Sequence, residues 1–374
     1  MKEVRAKIIG RTGPRPLAAY LRSAAMLAAR LDAGRSGGEI DPALLVRGLR
    51  TYWRHPYRRP ARLAPVVWSQ GSSRLFDLGR PGDPPALVVP SLVNRSDILD
   101  LLPGRSLLAH LRMAGLRPFL LDWGEPRGAE LSLDLEAYVH GRAAAALEAV
   151  ARATHERPAL LGYCMGGLLA AALAAKHGEA LAGVAFLATP WDFHAEPARM
   201  DSFPAAASGV VAALGHAPVE LLQTFFMLQD PGSVVRKLKR LEALTGDGPR
   251  DEFFVAVEDW LNHGVPMAGP VAQECLWHWY GENRPGRGVW TVGGVPVRPE
   301  RLEMPAFVAL PRHDRVVPTA SAEALAAALP APTVIRPEAG HIGMVVGDGA
   351  PSQLWAPLTA WLRRIAPRRK VLAV

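Results

Sequence analysis

The sequence predicts an α/β fold: a mostly parallel sheet with helices on both faces and an inserted, mainly helical lid. Three observations predict it. Five short runs, at 85–92, 116–122, 158–163, 183–189 and 305–311, are apolar on both faces, as buried parallel strands require. Helix-period segments at 105–114, 134–153, 166–177, 318–329 and 352–364 alternate with them, which is the rhythm of strand, crossover helix and next strand. Between Thr189 and Pro305 the rhythm breaks into helix signals rich in aromatics: Phe225, Phe226, Phe253, Phe254, Trp260, Trp277, Trp279 and Tyr280. The expected division is therefore an N-terminal helical or irregular extension (1–84), a core (85–190 and 305–374) and an inserted lid (191–304).

Within the extension, residues 14–31 space Leu17, Leu21, Ala24, Ala25 and Ala28 at helical intervals, with Arg15, Arg22 and Arg30 breaking the apolar pattern. This is an amphipathic helix, and packing on the main domain is its expected use ahead of lying on an apolar surface. Residues 32–65, rich in Gly, Arg and Pro, read as an irregular connector.

Composition excludes several classes. The 374 residues are 49% hydrophobic and 21% charged, enough to bury a large core. No uncharged apolar run approaches the roughly 18 to 20 residues of a membrane span. The first residues carry charge but no hydrophobic signal region, so a cytoplasmic location is expected. The net charge of +8 comes from arginines scattered along the chain, with short runs at 54–59 and 363–370, a pattern of solvated surface and not of a nucleic-acid site. Two cysteines, Cys164 and Cys275, make no disulfide framework and have no zinc-ligand spacing, so neither a metal nor a bound cofactor is expected.

The chemistry lies in Leu-Leu-Gly-Tyr-Cys-Met-Gly-Gly (160–167), an apolar strand turning through G-x-C-x-G-G into an alanine-rich helix. This is the nucleophile-elbow pattern with cysteine in the serine position. Side chains two residues either side of the nucleophile would collide with neighbours, hence Gly162 and Gly166. Cys164 also sits at a helix N-terminus, where dipole and N–H groups favour a thiolate. A buried cysteine on a Gly-rich turn is the bland alternative, and the downstream residues argue against it. Asp314 ends the run Phe-Val-Ala-Leu-Pro-Arg-His-Asp (307–314), at the carboxyl edge of a strand, where open α/β sheets place their sites. His341 follows in Gly-His-Ile-Gly (340–343). Nucleophile, acid, histidine is the order of the α/β-hydrolase fold, with Asp314 orienting and His341 as general base. Backbone N–H groups of Met165 and of the turn at Leu92 or Val93 are the expected oxyanion hole. His313, His194 and Cys275 read as non-catalytic. The aromatics suit packing better than an acyl tunnel.

These residues resemble a known family, the polyhydroxyalkanoate synthases, and most closely the short class III catalytic subunits. The matches are Val-Pro-Ser-Leu-Val-Asn-Arg-Ser-Asp-Ile-Leu-Asp-Leu (89–101), Arg-Ser-Leu (105–107), Leu-Leu-Asp-Trp-Gly-Glu-Pro (120–126), Gly-Tyr-Cys-Met-Gly-Gly (162–167), Ala-Thr-Pro-Trp-Asp-Phe (188–193), His-Asp-Arg-Val-Val-Pro (313–318) and Gly-His-Ile-Gly (340–343). The resemblance implies an acyltransferase that polymerises (R)-3-hydroxyacyl-CoA with release of CoA. Cys164 would carry the acyl group, His341 would activate a thiol or hydroxyl, and Asp314 would support His341. It also implies a growing polyester chain as partner, a homodimer or a second synthase subunit, and a location at the surface of storage granules. The segments 259–266 and 280–285 match the family loosely, and the first 84 residues barely match. A thioesterase or polyhydroxyalkanoate depolymerase with the same triad is the alternative, and a non-catalytic granule protein is a third.

Overall fold

The computed structural model describes residues 11, 13–16, 18–20, 22, 41–196, 203–230 and 232–366. Contacts group the chain into two compact units, 1–61 with 223–263, and 62–222 with 264–374.

The larger unit holds an eight-stranded sheet. Its strands are β1 (Val66–Gln70), β2 (Ser73–Asp77), β3 (Pro85–Val89), β4 (Arg117–Asp122), β5 (Ala159–Tyr163), β6 (Gly183–Leu187), β7 (Ala306–Ala309) and β8 (Thr333–Ile335), in the spatial order 1-2-4-3-5-6-7-8. The pairings β1/β2 and β2/β4 are antiparallel, and all the others are parallel. Strands β3, β5, β6 and β7 are buried at every position, as their unbroken apolar runs require. The helix Met165–His177 is built almost wholly of Leu, Ala and Gly and is buried from Met165 to Ala174, the behaviour of a helix apolar all round.

The sheet starts earlier than residue 85. The hairpin β1–β2 lies in the stretch expected to be extension, because in Val-Val-Trp-Ser-Gln and Ser-Arg-Leu-Phe-Asp the apolar residues run no longer than Val66-Val67-Trp68. β1 is an edge strand whose residues are mostly exposed, so burial never demanded a longer run. Arg117 in β4 pairs with Asp77 of β2 at 2.6 Å, both side chains nearly buried.

In the smaller unit, residues 42–54 form a helix where an irregular connector was expected. Asp41 caps it, its carboxylate accepting from the Ala43 N–H at 2.7 Å, and Leu45, Leu49 and Tyr52 are its buried stripe. Gly48 is where this helix meets Gly232–Glu242, since a Cβ there would stand 1.7 Å from the Leu241 carbonyl oxygen. Lys237 and Glu258 form a buried ion pair at 2.9 Å, and the Tyr52 hydroxyl donates to Asp259 at 3.0 Å. Residues 223–263, expected as part of the lid, thus group with the N-terminal residues, while 264–304 group with the sheet. Most of the amphipathic stretch 14–31 lies outside the described residues.

Candidate active site

Cys164 is the residue at which β5 turns into the helix Met165–His177, and its backbone is strained, with φ 55° and ψ −128°. The strain is held from several sides. The Cys164 N–H bonds the Leu187 carbonyl at 2.8 Å, continuing the β5/β6 ladder by one residue, and the Gly167 N–H returns to the Cys164 carbonyl at 2.9 Å. A Cβ on Gly162 would lie 2.5 Å from the Gly167 Cα, and one on Gly166 would lie 2.2 Å from the Val89 carbonyl oxygen at the end of β3. Backbone meets backbone at both positions, which is why neither tolerates a side chain.

Asp314 and His341 arrive on extensions of β7 and β8. Beyond the strands the two chains stay paired: the Leu310, Arg312 and His313 N–H groups donate to the carbonyls of Ile335, Pro337 and Ala339 at 3.0 Å each. Asp314 Oδ1 accepts from the N–H groups of Val316 and Val317, both at 2.8 Å, and Oδ2 accepts from His341 Nδ1 at 2.7 Å. Their side chains are 1% and 7% exposed. Cys164 stands near enough to the imidazole to favour its charged form, so carboxylate, imidazole and thiol gather at one edge of the sheet. Burial opposes a charge on His341, but the Asp314 carboxylate and Cys164 outweigh it, so its pKa lies well above the ordinary histidine value.

The expected oxyanion donors differ from one another. Met165 opens the helix, where an N–H has no carbonyl four residues back to bond. The Val93 N–H donates instead to the Ser91 hydroxyl at 3.1 Å, a local turn the sequence did not announce, so this conformation does not present it to a substrate. The same loop buries the Asn94 side-chain oxygen without a partner, and Leu92 lines a small apolar cavity with Trp123, Tyr138, Val265 and Met267.

His313 is exposed against Glu338 at 3.2 Å, and His194 is exposed with Nε2 against the Tyr280 carbonyl at 2.8 Å. Burial raises the Cys275 thiol well above its ordinary value, consistent with a packing role. Trp191, Phe193, Trp279, Tyr280 and Trp290 pack as one cluster with ring centroids 4.8 to 6.0 Å apart. No group of three or more His, Cys, Asp or Glu side chains able to hold a metal occurs among the described residues.

Sequence reasoning missed two features. The Asn283 side chain donates to Asp192 at 2.7 Å and accepts from the Phe193 N–H at 2.9 Å, so it clamps the segment that follows β6. Its positive φ of 49° is a conformation asparagine tolerates well, and Asn-Arg-Pro is the turn signal that marked it. The other is Tyr163, whose hydroxyl donates to the His341 carbonyl at 3.3 Å.

A strained cysteine elbow after the fifth strand, with an acid and a histidine on the loops after the seventh and eighth, defines an α/β-hydrolase, and the chain belongs to that family: the model for the alpha/beta hydrolase fold matches residues 120–348. Its relatives within the family carry the name the motifs suggested. It is 30% identical over 287 residues to the poly(3-hydroxyalkanoate) polymerase subunit PhaC of Haloferax mediterranei, covering 75% of this chain and 58% of that one. It is 26% identical over 310 residues to the subunit of the same name from Allochromatium vinosum, covering 79% and 87%. The chain spans 58% and 60% of the length of the Haloferax mediterranei and Haloarcula marismortui relatives. Among solved structures, the monoacylglycerol lipase of Paleococcus ferrophilus superposes with a TM-score of 0.51 at 16% identity, covering 78% of this chain and 98% of that one, a likeness of fold alone.

Proposed function

We propose that this protein is an acyltransferase that polymerises (R)-3-hydroxyacyl-CoA into polyhydroxyalkanoate through a thioester on Cys164. The observation that carries the reading is the strained Cys164 elbow together with the buried Asp314–His341 pair at 2.7 Å, whose imidazole feels the cysteine. The Cys164 sulfur attacks the thioester carbonyl and the CoA sulfur leaves, taking a proton from His341. His341 then accepts the proton of the incoming 3-hydroxyl as its oxygen attacks the acyl-enzyme, forming an ester and freeing Cys164. Thioester-to-thioester exchange is nearly isoenergetic, so the acyl-enzyme keeps its activation for transfer to an alcohol, which is the advantage of cysteine over serine. The Met165 N–H, at the first turn of the helix after the elbow, serves as the oxyanion donor in both steps. Acyl-CoA is the substrate and no resident cofactor is part of the scheme. The relatives' name supports the polyester product. A growing polyester chain, a homodimer or second synthase subunit, and a cytoplasmic location at granule surfaces complete the proposal.

The test is incubation with 3-hydroxybutyryl-CoA, following free CoA and assaying the product, with Cys164→Ala alongside. CoA release with polymer, abolished in the variant, is the expected result. Release with free hydroxy acid identifies a thioesterase, and full turnover by Cys164→Ala overturns the mechanism.

A further inference from the structure

The residue before the nucleophile has no part in the scheme above, yet it touches the base. Tyr163 is the last residue of β5, paired with Leu187 of β6, and is 2% exposed. Its hydroxyl donates to the His341 backbone carbonyl at 3.3 Å, and its ring lies 5.1 Å from the imidazole at an interplanar angle of 34°. His341 needs such a strap. It stands in the turn Gly340–Gly343, whose two glycines carry no side chain to anchor it; a Cβ on Gly343 would meet nothing within 4 Å. The turn's own bonds, Met344 N–H to Gly340 at 2.9 Å and Val345 N–H to Ile342 at 3.0 Å, run between its neighbours, so Asp314 holds the imidazole while the bond from Tyr163 is what reaches the His341 backbone.

We propose that Tyr163 is a positioning residue for the reaction: its hydroxyl and ring tie the loop bearing His341 to the strand bearing Cys164, and so set the line from sulfur to imidazole to carboxylate. Tyr163 immediately precedes Cys164 and ends a strand whose register is locked on both edges, so the strap measures the base directly against the nucleophile. Burial, with Cys164 and Asp314 nearby, holds the Tyr163 hydroxyl protonated, so it remains a donor throughout the working pH range. The inference rests on the roles proposed above for Cys164 and His341.

The experiment compares the full-length protein with Tyr163→Phe, which removes one oxygen and keeps the ring, and with His341→Ala. It measures CoA release from 3-hydroxybutyryl-CoA, the pH dependence of Cys164 alkylation by iodoacetamide, and the melting temperature. Tyr163→Phe is expected to lose about tenfold or more in kcat with KM within about twofold, because a small misplacement of a base costs rate and not binding. Its alkylation profile should move toward that of His341→Ala, with melting close to the wild type. Wild-type kcat and a wild-type alkylation profile in Tyr163→Phe would overturn the proposal. So would a rate loss that vanishes well below a lowered melting temperature, which would make the residue merely structural. If the wild type releases no CoA, the polymerase reading fails and alkylation alone decides: a Tyr163→Phe profile displaced toward His341→Ala supports the strap, and one superposed on the wild type refutes it.

Discussion

Cys164 holds a backbone conformation that few residues with side chains adopt, and it does so because Gly162, Gly166 and the β6 ladder leave it no other path. Around it each catalytic candidate is fixed by more than one contact, and Asp314 most of all, with both oxygens engaged. Asp314→Asn would present an amide N–H to His341 Nδ1 and favour the wrong tautomer. By the behaviour of hydrolytic triads, CoA release should fall roughly 10³- to 10⁴-fold with little change in substrate binding, measured by initial rates. The same variant has a signature in pH. His341 titrates in the fold above its ordinary 6.5, so the stability from its pairing is complete below about 6.5 and is lost as pH rises through the raised value. Urea unfolding at stepped pH should show Asp314→Asn most destabilised relative to wild type near pH 6, the gap narrowing as pH rises. A gap that widens toward alkaline pH would contradict the assignment.

At the scale of elements, the elbow, the neighbouring strand end and the following helix are one packed object. The Cβ that Gly166→Ala would add stands 2.2 Å from the Val89 carbonyl oxygen, and a strand end cannot yield as a flexible side chain does. Substitution should cost about 2 to 4 kcal/mol and lower the melting temperature by several degrees, read by calorimetry. An unchanged melting temperature would mean β3 is freer than its pairing on both edges implies. This region was legible in advance because strand, glycines and helix are contiguous in the sequence. The β1–β2 hairpin was not, because β1 is an edge strand with little to bury and β2 sets its buried Leu75 and Phe76 among Ser, Arg and Asp. The helix at 42–54 was hidden by its setting among Gly, Arg and Pro, although Asp41 and the Leu45–Leu49–Tyr52 spacing are present in the sequence.

At the scale of the whole molecule, contacts between distant residues hold the segments around the site. Asn283 reaches Asp192 and Phe193 across about ninety residues, and Arg142 is buried against Glu130 and the Ser73 hydroxyl, the latter at 3.1 Å. Asn283→Ala should leave the sheet intact and loosen the segment 191–196. Hydrogen exchange should rise there, at the Phe193 amide above all, while β5 and β6 stay protected. Equal protection in variant and wild type would show the clamp to be redundant. The sequence by itself determined the parallel sheet, the cysteine elbow and the order of acid and histidine, because these depend on periodicity and on residues close along the chain. Only the tertiary structure decided that residues 223–263 group with the N-terminal segment, and that Tyr163 and Asn283 reach across to His341 and Asp192. The physical reason is that a hydrogen bond between residues far apart in sequence leaves no periodic trace: its partners are chosen by where the packed sheet brings them.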